Sequence, residues 1–114
     1  MSPGEPTITR IDIYKLSISR RSPFRLALGT WTHVDNVLIR IHAGDDLYGV
    51  GEGSPIPYLV GETQATDLAA ARALAHLLLG RNPLEIEERL RELDAFLVHN
   101  ATIKSAFDMA LYDL

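Results

Sequence analysis

Val37–Gly53 reads VLIRIHAGDDLYGVGEG, and its period of two decides the class of fold. Val37, Ile39 and Ile41 alternate with Leu38, Arg40 and His42, so one face is wholly aliphatic and the other mixed, as in a largely buried β-strand. Ala43, Gly44, Asp45 and Asp46 supply turn residues, and Leu47–Gly53 returns as another strand. Upstream, Thr7–Ser19 carries β-branched Ile8, Ile11, Ile13 and Ile18 and reads as a strand too. Its alternation changes phase between Ile13 and Leu16, which a bulge or burial of both faces would explain. Three consecutive strands with one short turn predict an antiparallel meander.

Between the first two strands, RRSPFRLALGTWTH (Arg20–His33) mixes apolar residues with Pro23, Gly29 and three hydroxyl side chains without a settled period, and reads as a long loop. Beyond SPIPYLVGE (Ser54–Glu62) the period changes to about 3.6. Thr63 is placed to cap a helix with Leu68, Ala71, Ala75 and Leu78 on one face and Gly80 at its stop. Asn82 as N-cap, Pro83 at the first helical position and Glu85 closing a capping box predict a second helix, with Ile86, Leu90, Leu93 and Leu97 as its stripe. A third starts near Ala101, with Ile103, Ala106, Phe107, Ala110, Leu111 and Leu114 on one arc. No Gly, Asn or Pro follows Leu114 to end it, so this helix is expected to run on. The layout is one α+β unit over residues 7–114, a three-stranded antiparallel meander followed by a helical bundle, behind a mobile segment at residues 1–6.

With 114 residues, 46% hydrophobic and 23% charged, the chain is long enough for one globular core. A net charge of -4 and no basic cluster beyond Arg20 and Arg21 argue against nucleic acid as a partner. The most apolar run, Ala73–Gly80, is too short to span a bilayer, and MSPGEP lacks the order of a signal peptide, so no membrane partner is expected and the cytoplasm is the default. The absence of cysteine removes disulfides, thiolate metal sites and cysteine nucleophiles.

Candidate chemical groups resolve into structural readings. The glycines of YGVGEGSP precede neither a Lys nor a helix, so close approach of another backbone explains them better than a phosphate cradle, and Glu52 reads as a hydrogen-bonding or surface carboxylate. His33, His42, His76 and His99 contain no pair at metal-ligand helical spacing. Asp45 and Asp46 fall short of a calcium loop. Asp108 and Asp113 lie on different sides of a helix and read as surface or packing groups. Lys104 stands four residues before Asp108, the spacing of a helix-face ion pair. No catalytic residue and no metal ligand is assigned.

The order of parts nevertheless carries a resemblance. LIRIHAGDDLYGVGEGSPIPYLVGET (Leu38–Thr63) resembles the second and third strands and following loop of the N-terminal domain of the enolase superfamily, mandelate racemase and muconate-lactonizing branch. NATIKSAFDMALYDL (Asn100–Leu114) resembles the helix that closes that domain, and SPFRLALGT (Ser22–Thr30) looks like the corresponding loop of dipeptide epimerases.

The resemblance implies a capping domain truncated at Leu114, before a (β/α)₇β barrel that carries the Mg²⁺ ligands and the lysine bases of an isomerase abstracting the proton α to a carboxylate. Its own contribution would be specificity, through two segments over the barrel mouth: Phe24, Leu26, Leu28, Gly29 and Thr30 in the first, Ile56, Pro57 and Tyr58 in the second. Dipeptide epimerases that prefer a glutamate side chain tend to carry an arginine just before a glycine in the first segment, and the position that looks equivalent here is Leu28 before Gly29. This implies hydrophobic dipeptides as substrates unless a shifted loop delivers the Arg25 guanidinium to the same place. Its partners would be that small molecule and its own barrel, with association into homo-oligomers left open. Other branch activities (muconate cycloisomerase, N-acylamino-acid racemase, o-succinylbenzoate synthase, acid-sugar dehydratase) and a stand-alone non-catalytic binding module are the alternatives.

Overall fold

The computed structural model describes residues 5–26, 29–55 and 62–114, with side chains outside 18–34. Residues 1–4 of the expected mobile segment lie outside that range. Strand β1 spans Ile8–Leu26, β2 Gly29–Ala43 and β3 Leu47–Gly53, in the antiparallel order β1-β2-β3. Helices α1 (Gln64–Leu78), α2 (Ile86–Phe96) and α3 (Ala101–Asp113) follow. The expected meander and helices are both present.

Register explains where the sequence pattern misled. Arg10 to Ser19 pairs residue for residue with His42 to His33, so no bulge sits between Ile13 and Leu16; it falls between Ile8 and Arg10. That shift lets Ile8, Ile11 and Ile13 all serve the core side although Ile8 lies three positions from Ile11. Within the stretch expected as a loop, residues 20–26 and 29–33 are instead the two arms of a ribbon that continue β1 and β2. Ser19 pairs with His33 and Phe24 with Trp31, so β1 carries extra residues around Pro23. Proline has no N–H to give a ladder, and the bulge it occupies slips the phase, which erased the period-two signal.

The core lies between one sheet face and the helices. Val37, Ile39 and Ile41 of β2 are fully buried against Leu74 and Leu78 of α1 and Ile103 and Phe107 of α3. On β3 the same face consists of Gly49, Gly51 and Gly53, because α3 runs directly over it. A Cβ built on Gly51 would stand 1.9 Å from the Ala106 carbonyl oxygen, and one on Gly49 2.1 Å from that of Ala110. The strand period of two thus matches the helix period of four, since Thr102, Ala106 and Ala110 cover Gly53, Gly51 and Gly49 in turn. The outer edge of β3 is closed by Asp113, whose Oδ2 accepts the Val50 N–H at 2.9 Å.

The starts of α1 and α2 are built differently. Thr63 caps α1 and forms a capping box with Thr66, and Gly80 adopts φ +83° after the helix. Asn82 does not cap α2: its Oδ1 accepts from Leu84 N at 2.9 Å in a turn, and the helix begins at Ile86 behind Glu85. The turn is held by buried Arg89, which donates to the Asn82 carbonyl at 3.0 Å and pairs with Glu92.

Candidate functional site

The last β2–β3 pair is Val37 with Gly53, whereas β1 and β2 pair on as far as Leu26 and Gly29. The ribbon therefore projects beyond the three-stranded sheet at the end where β3 leaves for residues 54 and onward. Within it Phe24 pairs with Trp31, Arg25 with Thr30 and Leu26 with Gly29, so Phe24, Leu26, Gly29 and Thr30 come together at its tip. Leu28, Ile56, Pro57 and Tyr58 lie outside the described residues.

The base of this end is organised by three side chains that sequence reasoning missed. Gln64, in the first turn of α1, donates from Nε2 to the Leu16 carbonyl at 3.1 Å and the Asn36 carbonyl at 2.9 Å, tying the helix to both ribbon strands. Glu62 is buried and accepts from Thr102 N at 3.0 Å and from Ile103 N at 3.4 Å. It does the capping for α3 that Asn100, in a left-handed conformation at φ 55°, does not. Asp67 of α1 is fully buried and contacts Glu62. A signal existed: Asp67, Ala71, Leu74 and Leu78 are spaced four, three and four apart, which puts an acid on the apolar stripe of α1.

Burial, then the hydrogen bond and charge of Glu62, push the Asp67 carboxyl up to about 8, so it is protonated near neutrality. Burial also acts to raise Glu62. The bond from Asp67 and those from Thr102 and Ile103 outweigh it and hold Glu62 below the usual carboxylate range.

On the opposite sheet face, Asp12 meets His42 (2.8 Å) and Arg10 (3.1 Å), while the Arg40 guanidinium lies 5.4 Å from the ring centre of Tyr14 and 5.5 Å from that of Tyr48. His42 is thus engaged in a surface ion-pair network. Glu52 accepts from Asn36, and Asp113 holds the sheet edge, matching their structural readings. Lys104 pairs with Asp94 of α2 at 3.2 Å rather than with Asp108 as its spacing suggested, because the groove between α2 and α3 brings Asp94 within reach. Among the described residues no three His, Cys, Asp or Glu side chains group to hold a metal ion. No helix among them is long and apolar enough to cross a membrane.

These features define a small α+β domain that presents a ribbon and an adjoining strand exit at one end of its sheet, braced from the helical side. The chain belongs to the family of the mandelate racemase / muconate lactonizing enzyme N-terminal domain, whose profile matches residues 9–114. It is 39% identical over 107 residues to D-Ala-D/L-Ala epimerase of Cytophaga hutchinsonii, covering 94% of this chain and 29% of that protein. It is 31% identical to hydrophobic dipeptide epimerase of Enterococcus faecalis, covering 94% and 30%. A crystal structure of a dipeptide epimerase from Cytophaga hutchinsonii, complexed with Mg and D-Ala-L-Val, superposes with a TM-score of 0.90 at 38% identity, over 93% of this chain and 29% of the other. The chain thus spans about 30% of the length of these curated relatives.

Proposed function

We propose that this chain is the capping domain, over residues 7–114, of a cytoplasmic Mg²⁺-dependent dipeptide epimerase acting on hydrophobic dipeptides. On this reading the ligands for that ion and the groups that move the α-proton belong to a barrel that this domain covers, as in the branch the chain resembles. The metal would supply stabilisation of the enediolate formed when the proton α to the carboxylate leaves. This chain's part is to shape the pocket and exclude water with Phe24, Leu26, Leu28, Gly29, Thr30, Ile56, Pro57 and Tyr58.

The observation that carries this reading is the projection of the ribbon past the sheet, which puts Phe24, Leu26, Gly29 and Thr30 at the end from which β3 leads on in sequence to the second segment. Leu28, at the position that looks equivalent to the arginine of glutamate-preferring enzymes, offers no partner to an acidic side chain, and the similarity to proteins named D-Ala-D/L-Ala epimerase and hydrophobic dipeptide epimerase supports that reading. The test is exchange of the α-proton of L-Ala-L-Leu with solvent deuterium, followed by NMR in the presence of Mg²⁺. The full-length protein should exchange it and the 114-residue chain should not; exchange by the chain alone would contradict the assignment of the reacting groups.

A further inference from the structure

Glu62 and Asp67 are two buried carboxyl groups in contact, and among the described residues neither forms an ion pair with a cation. Glu62 spends its oxygens on the N–H groups of Thr102 and Ile103. Among the described residues both oxygens of Asp67 lack any protein donor, which for an ionised and fully buried carboxylate would leave a charge without compensation. A proton on Asp67 removes the difficulty: the neutral acid becomes a donor, Glu62 is its acceptor, and the single negative charge sits on the helix N-terminus that favours it.

We propose that Glu62 and Asp67 share one proton in a buried clasp that locks the first turn of α1 to the N-terminus of α3, and that losing this proton opens the clasp. The inference does not depend on the epimerase reading. What the clasp holds follows from the bonds around it: Gln64, between the two acids in sequence, ties the same turn to Leu16 and Asn36 at the foot of the ribbon. Opening it would loosen α1, α3 and the ribbon foot together.

The groups facing the pair are few. From α3 come the N–H groups of Thr102 and Ile103 and the Thr102 hydroxyl, while Lys104 is engaged with Asp94. From β2 and β3, Asn36 is bonded to Glu52, and from α2 Arg89 is bonded to Glu92 and the Asn82 carbonyl. On β1, Arg10 is paired with Asp12 and Lys15 is exposed, and on β2 Arg40 lies over Tyr14 and Tyr48 on the opposite sheet face, so among the described residues no cation pairs with either acid.

The sign of the pH effect follows. The unfolded chain releases the Asp67 proton above its ordinary value of 3.8, whereas the folded chain keeps it to about 8. Stability from this group is therefore full below 3.8 and falls with rising pH until about 8, the unfolding constant rising up to tenfold per pH unit. Glu62 acts oppositely only near and below its ordinary 4.5, so from pH 5 to 8 the pair's contribution is that of Asp67, and the difference between wild type and Asp67→Asn removes what other groups add.

The test has two arms. In protein carrying carbon-13-labelled aspartate, the Asp67 carboxyl resonance should titrate with a midpoint at least two pH units above that of the other aspartates; a midpoint within their range would overturn the proposal. Asp67→Asn keeps a neutral donor in place, so its stability should be flat where the wild type declines, and Thr102 and Ile103 amides should stay protected at pH 9 after correction for intrinsic exchange. An unchanged pH profile in Asp67→Asn would also overturn it, and should that variant fail to fold the wild-type titration decides.

Discussion

Alanine at Gly51 would place a methyl carbon 1.9 Å from the Ala106 carbonyl oxygen and 2.8 Å from the Ala110 nitrogen. Both obstacles are helix backbone, which cannot rotate aside as a side chain would. Restoring ordinary contact near 3.4 Å requires β3 and α3 to part by about 1.5 Å, enough to forfeit much of the dispersion between the two elements. Overpacking of this kind costs about 1–3 kcal/mol and more where nothing can yield, so Gly51→Ala should lose about 3 kcal/mol. Gly49→Ala, at 2.1 Å from the Ala110 oxygen, should match it. Gly53→Ala meets Thr102 at 3.1 Å and should lose about 1 kcal/mol. Gly44→Ala is the control, with nothing within 4 Å but a backbone φ of +59°, where the left-handed conformation alone costs about 1–2 kcal/mol. Urea unfolding followed by circular dichroism ranks the four, and a slope of about 1–3 kcal/mol per molar turns 3 kcal/mol into a midpoint shift of about 1–3 M. Equal losses at Gly51 and Gly44 would refute the packing of α3 on the glycine face.

Asp113→Ala should raise the exchange rate of the Val50 amide and lower stability by about 1 kcal/mol, since it frees the outer edge of β3; unchanged Val50 exchange would count against the edge bond. Asp12 titrates below its ordinary 3.8: partial burial acts to raise it, but the bond from His42 and the charges of Arg10 and His42 prevail. Its stabilising contribution is present above pH 3.8 and lost as pH falls through the lower folded value. Asp12→Asn should therefore flatten the acid limb of the stability profile, and an identical limb in the variant would remove the outer-face network from the account.

What was legible in the sequence is what depends on local period and local caps. Val37, Ile39 and Ile41 declared β2, the arc from Ile103 to Leu111 declared α3, and Thr63 and Gly80 marked the ends of α1. The glycines of β3 announced a close backbone but not which one, because the covering helix lies some fifty residues away in sequence. The ribbon was illegible because its strand character comes from pairing across the hairpin, and the bulge around Pro23 breaks the alternation that would have revealed it. Asn82 followed by Pro83 mimicked a helix start that Arg89 turns into a separate turn. Glu62 and Gln64 escaped for another reason, since each acts through a partner distant in sequence; Asp67, whose partner Glu62 is near, left a trace as the acid on the stripe of α1. At the candidate site the sequence named the segments, and pairing of the ribbon supplied the reason that Phe24, Leu26, Gly29 and Thr30 share one end.

The proposed preference of the full-length protein for hydrophobic dipeptides is tested most directly by its kcat/KM over a dipeptide panel. L-Ala-L-Leu, L-Ala-L-Phe and L-Ala-L-Glu should separate by at least about tenfold in favour of the apolar pair, because a missing charge-assisted contact removes a few kcal/mol from the acidic substrate. Leu28→Arg should recover activity toward L-Ala-L-Glu, and Arg25→Ala should leave the wild-type order unchanged. A wild-type enzyme that prefers L-Ala-L-Glu would contradict the account.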